Sequence, residues 1–184
     1  MIFFKIGYSA TMRKTIKKII VIFTLLIASN NYLSEAGTTN NKVKKVDISK
    51  LNFKTFNKKK INLSAPIVII NFWATWCGPC LEELPSLVAL RKKFPEDKLS
   101  IIAINEDHED IEKNIKKTIK KFNLNFSIVT DENDKYLDFF YVKALPVTFL
   151  FNNGKIVKIT NGATDFSSIE YINELNSMLN ISKK

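Results

Sequence analysis

Residues Ile67–Phe72, IVIINF, are apolar at every position except Asn71, and so short an apolar run reads as a strand buried on both faces. Such a strand needs neighbours on both edges and helices on both faces, which sets the fold class before any motif is considered. The rest of the chain supplies these parts. A helix is expected from Pro79 to Phe94, with Leu81, Leu84, Leu87, Val88 and Leu90 at helical spacing. Pro85 is expected to bend it, because its nitrogen cannot donate to the ladder. Ser100–Asn105, SIIAIN, is a second buried strand. Asp110–Phe122 reads as an amphipathic helix, with Ile111, Ile115, Ile119 and Phe122 on one face. Phe126–Thr130 is a third strand and Lys135–Tyr141 a short helix.

Pro146–Phe151 and Lys155–Thr160 flank Asn152-Asn153-Gly154, whose residues tolerate positive φ and predict a tight hairpin. The last helix is expected from Ser167 to about Leu179, with Ser167 as cap and Glu170 reaching back. Ahead of the first strand, Leu51, Phe53 and Phe56 read as one arm of a small hairpin and Ile61 and Leu63 as the other. The sum is an α/β domain: a central mixed β-sheet flanked by helices, an N-terminal hairpin, and no internal repeats.

The chain has 184 residues, enough for one compact domain plus extras. Its net charge of +10 is unevenly spread. Residues 1–60 hold 13 Lys/Arg against Glu35 and Asp47, whereas residues 61–184 hold 15 against 16 acids. The basic balance therefore belongs to the N-terminal part, and the domain offers no basic face for nucleic acid. Arg13, Lys14, Lys17 and Lys18 precede the apolar run Ile19–Ala28, IIVIFTLLIA, and Ser34-Glu35-Ala36 supplies a small-x-small cleavage site. This is signal-peptide order, with an apolar run shorter than a membrane span. Residues 1–36 are expected to act as an export signal or, uncleaved, as a membrane anchor. Residues 37–50 read as a linker and 51–184 as the folded domain. Met12 begins a complete signal by itself, so residues 1–11 are expected to be dispensable.

Cys77 and Cys80 are the only cysteines, in Trp76-Cys77-Gly78-Pro79-Cys80. They follow a buried strand and open a helix, where the orphan amides and the helix dipole favour a thiolate. A thiolate is the species that attacks disulfides. Cys77 is expected to be the exposed nucleophile. Cys80, one turn deeper, is expected to resolve the mixed disulfide. Pro79 suits the first helical turn, and Gly78 lets a substrate backbone approach. Closing so short a loop stabilises little, which argues against a purely structural bridge. His108, among Glu106, Asp107, Glu109 and Asp110, lacks a second soft ligand and reads as a solvated loop residue, so no metal site is expected there.

Asn71-Phe72-Trp73-Ala74-Thr75-Trp76-Cys77-Gly78-Pro79-Cys80, followed by Glu82-Glu83-Leu84-Pro85, resembles the TlpA/ResA-type thioredoxins over roughly residues 48–180. That resemblance implies a thioredoxin fold and an extra helix and strand, placed at roughly 109–130. It also implies a cis-proline opposite the dithiol. Pro146 matches that position, with the Leu145 backbone presented to a substrate strand. Small cytosolic thioredoxins carry a buried aspartate six residues before the first cysteine, where this chain has Asn71. Glu83, three residues after Cys80 on the same helix face, is the candidate to take over its proton chemistry, with a pKa raised by burial. Glu82 is expected to be a solvated control.

The function expected is protein-disulfide reduction outside the cytoplasm. CGPC matches thioredoxin, near about −270 mV, rather than oxidants near about −120 mV. No cofactor beyond the redox-active Cys77–Cys80 pair is expected. The resemblance implies client proteins with disulfides, such as apocytochrome c or copper-site maturation factors, and a membrane electron donor. Relatives in cytochrome c maturation often carry an acid after the cis-proline, and Val147 there favours the general TlpA type. Two other classes compete: a Cu(I)- or Zn-binding module using the same CxxC, for which Trp76 and Pro146 are ill suited, and a peroxidase-type relative, which WCGPC disfavours.

Overall fold

The computed structural model describes Val46, Ile48 and residues 51–59, 61–131 and 133–181. The expected export segment and most of the expected linker lie outside these residues. The elements are β1 (Ile67–Trp73), α1 (Gly78–Lys93), β2 (Leu99–Asn105), α2 (Ile111–Phe122), β3 (Ser127–Thr130), α3 (Lys135–Phe139), β4 (Val147–Asn152), β5 (Lys155–Asn161) and α4 (Ile169–Ile181). They form a five-stranded sheet in the order β3-β2-β1-β4-β5. β1 runs parallel to β2 and β2 to β3, whereas β4 is antiparallel to both β1 and β5. The strand read first in the sequence is thus the middle of the sheet, and every residue of β1 is buried. The inserted helix and strand are α2 and β3.

Alternation along β1 sends Ile67, Ile69 and Trp73 to one face, where they pack with Leu84 and Leu87 of α1, Ile115 of α2 and Leu175 of α4. Val68, Ile70 and Phe72 point to the other face, among Tyr136 of α3, Phe140 and Phe149. Phe72, Phe140 and Phe149 stack there with ring centres 4.9–5.8 Å apart. Burial of each such side chain stabilises by about 1.5–3 kcal/mol. The β4–β5 turn has Asn153 and Gly154 both at positive φ, as a two-residue hairpin matched to strand twist requires.

Two local expectations are corrected. The described residues of 51–63 form no hairpin. Leu51, Phe53, Ile61 and Leu63 are half-buried, on the second face of the sheet, together with Val46 and the fully buried Ile48. The backbone of this segment pairs with β3 instead, through a single Thr55–Val129 bridge, and Phe56 N donates to Ile128 O at 2.7 Å. The cap of α4 is Ser168 rather than Ser167: Ser168 Oγ accepts from Tyr171 N at 3.2 Å. Ser167 is taken by Asp165, whose Oδ1 accepts from both the Ser167 amide and its hydroxyl. Pro85 lies inside α1 on its exposed side, and the helix runs on through it.

Candidate active site

β1 ends at Trp73 and the chain turns into α1 within five residues, so Cys77 becomes the helix N-cap. Its backbone is extended (φ −89°, ψ 103°), and Cys80 N donates to its Sγ at 3.3 Å. The first turn of α1 holds no acidic residue, so the positive end of the helix acts on that sulfur unopposed. Cys77 and Cys80 are joined as a disulfide. Cys77 keeps 6% of its surface exposed and Cys80 none. The expected ranking of access is present, but in this oxidised form Cys77 is only a narrow opening, not a freely exposed sulfur. Trp76 beside it is 69% exposed. Gly78 and Pro79 are exposed too, and a Cβ placed at Gly78 would meet nothing within 4 Å.

Register brings the proline to the same end of the sheet. Phe72 lies opposite Val147, so Pro146 falls one residue further, beside the end of β1 from which the dithiol loop departs. The Leu145–Pro146 peptide is cis, Leu145 is half-buried, and Pro146 O accepts from Gly162 N at 2.8 Å.

Glu83 lies one turn beyond Cys80 and is 3% exposed. Its Oε1 accepts from Asn71 Nδ2 at 2.7 Å and its Oε2 from Thr164 N at 3.1 Å. Burial raises its pKa to about 7, against the opposing pull of those two hydrogen bonds. The carboxylate borders a shallow cleft of about 420 Å³ between α1 and the loop at residues 163–167, which gives a proton a way out to solvent. Asn71 also donates to Thr148 Oγ1, directly across on β4, so the amide that stands in the aspartate position of small thioredoxins anchors the neighbouring carboxylate. Glu82 is exposed.

Sequence reasoning missed the floor of the dithiol loop. Asp107 is buried and accepts from both Thr75 N and Thr75 Oγ1 at 2.8 Å, fastening the loop to the end of β2. Glu106 is 1% exposed. Burial, then Asp131, Asp134 and Asp107, raises its pKa to about 8. The only signal was that both acids follow a wholly buried strand with no turn residue between, and the run of four acids and a histidine masked it. His108 is exposed, 3.6 Å from Asp134.

A paired-cysteine disulfide on a helix N-terminus, at the end of the central strand and beside a cis-proline, defines a thioredoxin-fold thiol–disulfide oxidoreductase. The sequence model of the AhpC/TSA family matches residues 39–159. The thiol-disulfide oxidoreductase ResA of Bacillus subtilis is 37% identical over 122 residues, which are 64% of this chain and 67% of that protein. ResA of Geobacillus thermodenitrificans is 38% identical over 96 residues, 52% of this chain, and there the match spans about half of the relative, 54%. The crystal structure of StoA from Bacillus subtilis superposes with a TM-score of 0.56 at 26% identity, covering 68% of this chain and 95% of StoA. The chain belongs to the AhpC/TSA family, and its similarity runs to the ResA and StoA type.

Proposed function

We propose that the protein is an extracytoplasmic reductant of client-protein disulfides. The observation that carries this reading is the Cys80 amide aimed at Cys77 Sγ from the first turn of α1. In the reduced protein that amide and the helix dipole favour a Cys77 thiolate. The thiolate attacks one sulfur of the client disulfide, and the other client sulfur leaves as a thiolate. Glu83 takes the proton from Cys80, directly or through one water. The Cys80 thiolate then attacks Cys77 Sγ, expelling the second client thiolate and closing the Cys77–Cys80 disulfide. Two electrons have passed to the client, and a membrane electron donor returns them. The dithiol is the only redox group this sequence of steps needs.

Trp76, Gly78 and Pro79 form the exposed rim against which a client strand lies, with the Leu145 backbone and Pro146 on the opposite side. The names of the relatives support the chemistry. The signal-like residues 1–36 support the compartment, with residues 37–50 leading into the working domain 51–184, whose core Val46 and Ile48 already enter. No helix of the described residues is long and apolar enough to cross a membrane. The resemblance supports clients such as apocytochrome c or copper-site maturation factors.

The test is capture in the full-length chain. Reduced Cys80→Ser should accumulate a mixed disulfide on Cys77 with a disulfide-bonded peptide, and Cys77→Ser should not react. A Cys80→Ser protein that never traps the peptide would overturn the assignment of roles. The redox potential of the wild-type pair should lie below about −200 mV, and a value near about −120 mV would make the protein an oxidant instead.

A further inference from the structure

The inserted helix α2 carries Lys113, Lys116, Lys117, Lys120 and Lys121 against a single acid, Glu112. Lys113 pairs with Asp110 and Lys116 with Glu112. Lys117 and Lys121 are four residues apart, one above the other on the same face. Among the described residues neither meets a carboxylate, and Lys121 Nζ rests 4.9 Å from the centre of the Phe122 ring. Two like charges at this spacing cost a helix a few tenths of a kcal/mol, so the pair is not there to hold the helix together.

Both lysines line a cleft of about 650 Å³ whose other wall is Thr75, Trp76 and Leu81, the residues around the dithiol. Two acids also border it. Asp107 keeps its charge but lies buried beneath the floor, its oxygens engaged by Thr75. His108 faces Asp134. Only Glu109 stands exposed on the rim. A client bringing its disulfide to Cys77 over Trp76 therefore lays the adjoining residues along a channel with two exposed lysines against one exposed acid.

We infer that the cleft between Trp76 and α2 is a specificity subsite for client segments carrying carboxylate side chains beside the reactive disulfide. The inference rests on the reductase reading above and names which clients that site prefers. Charge complementarity of this kind acts chiefly on the rate of encounter, and salt screens it.

The experiment uses the reduced full-length chain and three synthetic peptides with one intramolecular disulfide, flanked by Glu-Glu, Ser-Ser or Lys-Lys. At low ionic strength the acidic peptide should be reduced roughly tenfold faster than the basic one in kcat/KM, the size expected of two exposed charges. At about 1 M salt, where screening acts within about 3 Å, the difference should collapse. Lys117→Glu with Lys121→Glu should invert the ranking, and Lys117→Gln with Lys121→Gln should abolish it. Lys155→Glu, on the β4–β5 hairpin at the other end of the sheet, should leave the ranking as it was. Equal rates for acidic and basic peptides, or a preference that survives the double charge reversal, would overturn the subsite while leaving the reductase reading intact. A wild-type chain that reduces none of the three peptides would overturn both.

Discussion

Glu83 is held by the Asn71 side-chain amide on one oxygen and the Thr164 backbone amide on the other, in surroundings that raise its pKa to about 7. A base must be ionised to accept a proton, so release of the client from the mixed disulfide should speed up as pH rises through about 7. Glu83→Gln keeps the volume and should slow that release by about 10²-fold while removing the pH step, as read by stopped-flow Trp fluorescence. Glu82→Gln should leave the profile unchanged. Glu106 gives a stability counterpart. Its carboxyl ionises at an ordinary value of 4.5 when unfolded and about 8 when folded. Folding therefore takes up a proton between these values: the group's contribution is fully present below pH 4.5 and is lost as pH rises to 8. Glu106→Gln should be more stable than wild type by about 3 kcal/mol at pH 7 in urea unfolding, with the gap closing toward pH 4.5. Of these two acids, Glu83 was legible because helical spacing from Cys80 fixes its face. Glu106 was not, because four acids and a histidine in a row resemble solvated loop.

At the scale of elements, the apolar runs located β1 to β4 and the Asn153-Gly154 turn located β5, with strands and helices placed to within about two residues, since burial on both faces leaves a run little choice. Pairing and capping were less legible. The hydrophobes at 51, 53, 61 and 63 announced that they would bury, but side-chain spacing does not say which backbone a segment bonds to. Here β3 offered an open edge to Thr55, Phe56 and Asn57, and Asn57 spans it with Nδ2 to Phe126 O and Oδ1 from Ile128 N. Two adjacent serines were equally able to cap α4, and Asp165 decided the matter by engaging Ser167. Ser168→Ala should therefore lower stability by about 1 kcal/mol, whereas Glu170→Ala should change it by no more than a few tenths, both read from thermal unfolding. Equal losses would restore the box first read from the sequence.

For the whole molecule, the segment ahead of β1 belongs to the core of the second face as much as to any connection. Ile48 is 1% exposed, and Ile48→Ala should cost about 2–4 kcal/mol in chemical unfolding without moving the redox potential of the dithiol. That position was read as linker because lysines and asparagines surround it, and a lone apolar residue in such company carries no period. The same stretch does a further job at its far end. β3 has only four residues and lies at the margin of the sheet, and residues 55–57 lie along its outer side. An uncovered margin offers its amides and carbonyls to any other extended chain. On the reductase reading proposed above, extended client segments are brought against this surface. Trimming the domain at residue 58 would therefore do two things at once: strip Ile48, Leu51 and Phe53 from the second face, and open the margin of β3 as a second, unintended place for an extended chain to add on as a strand. Co-precipitation with disulfide-bearing substrate would then accompany the loss of stability.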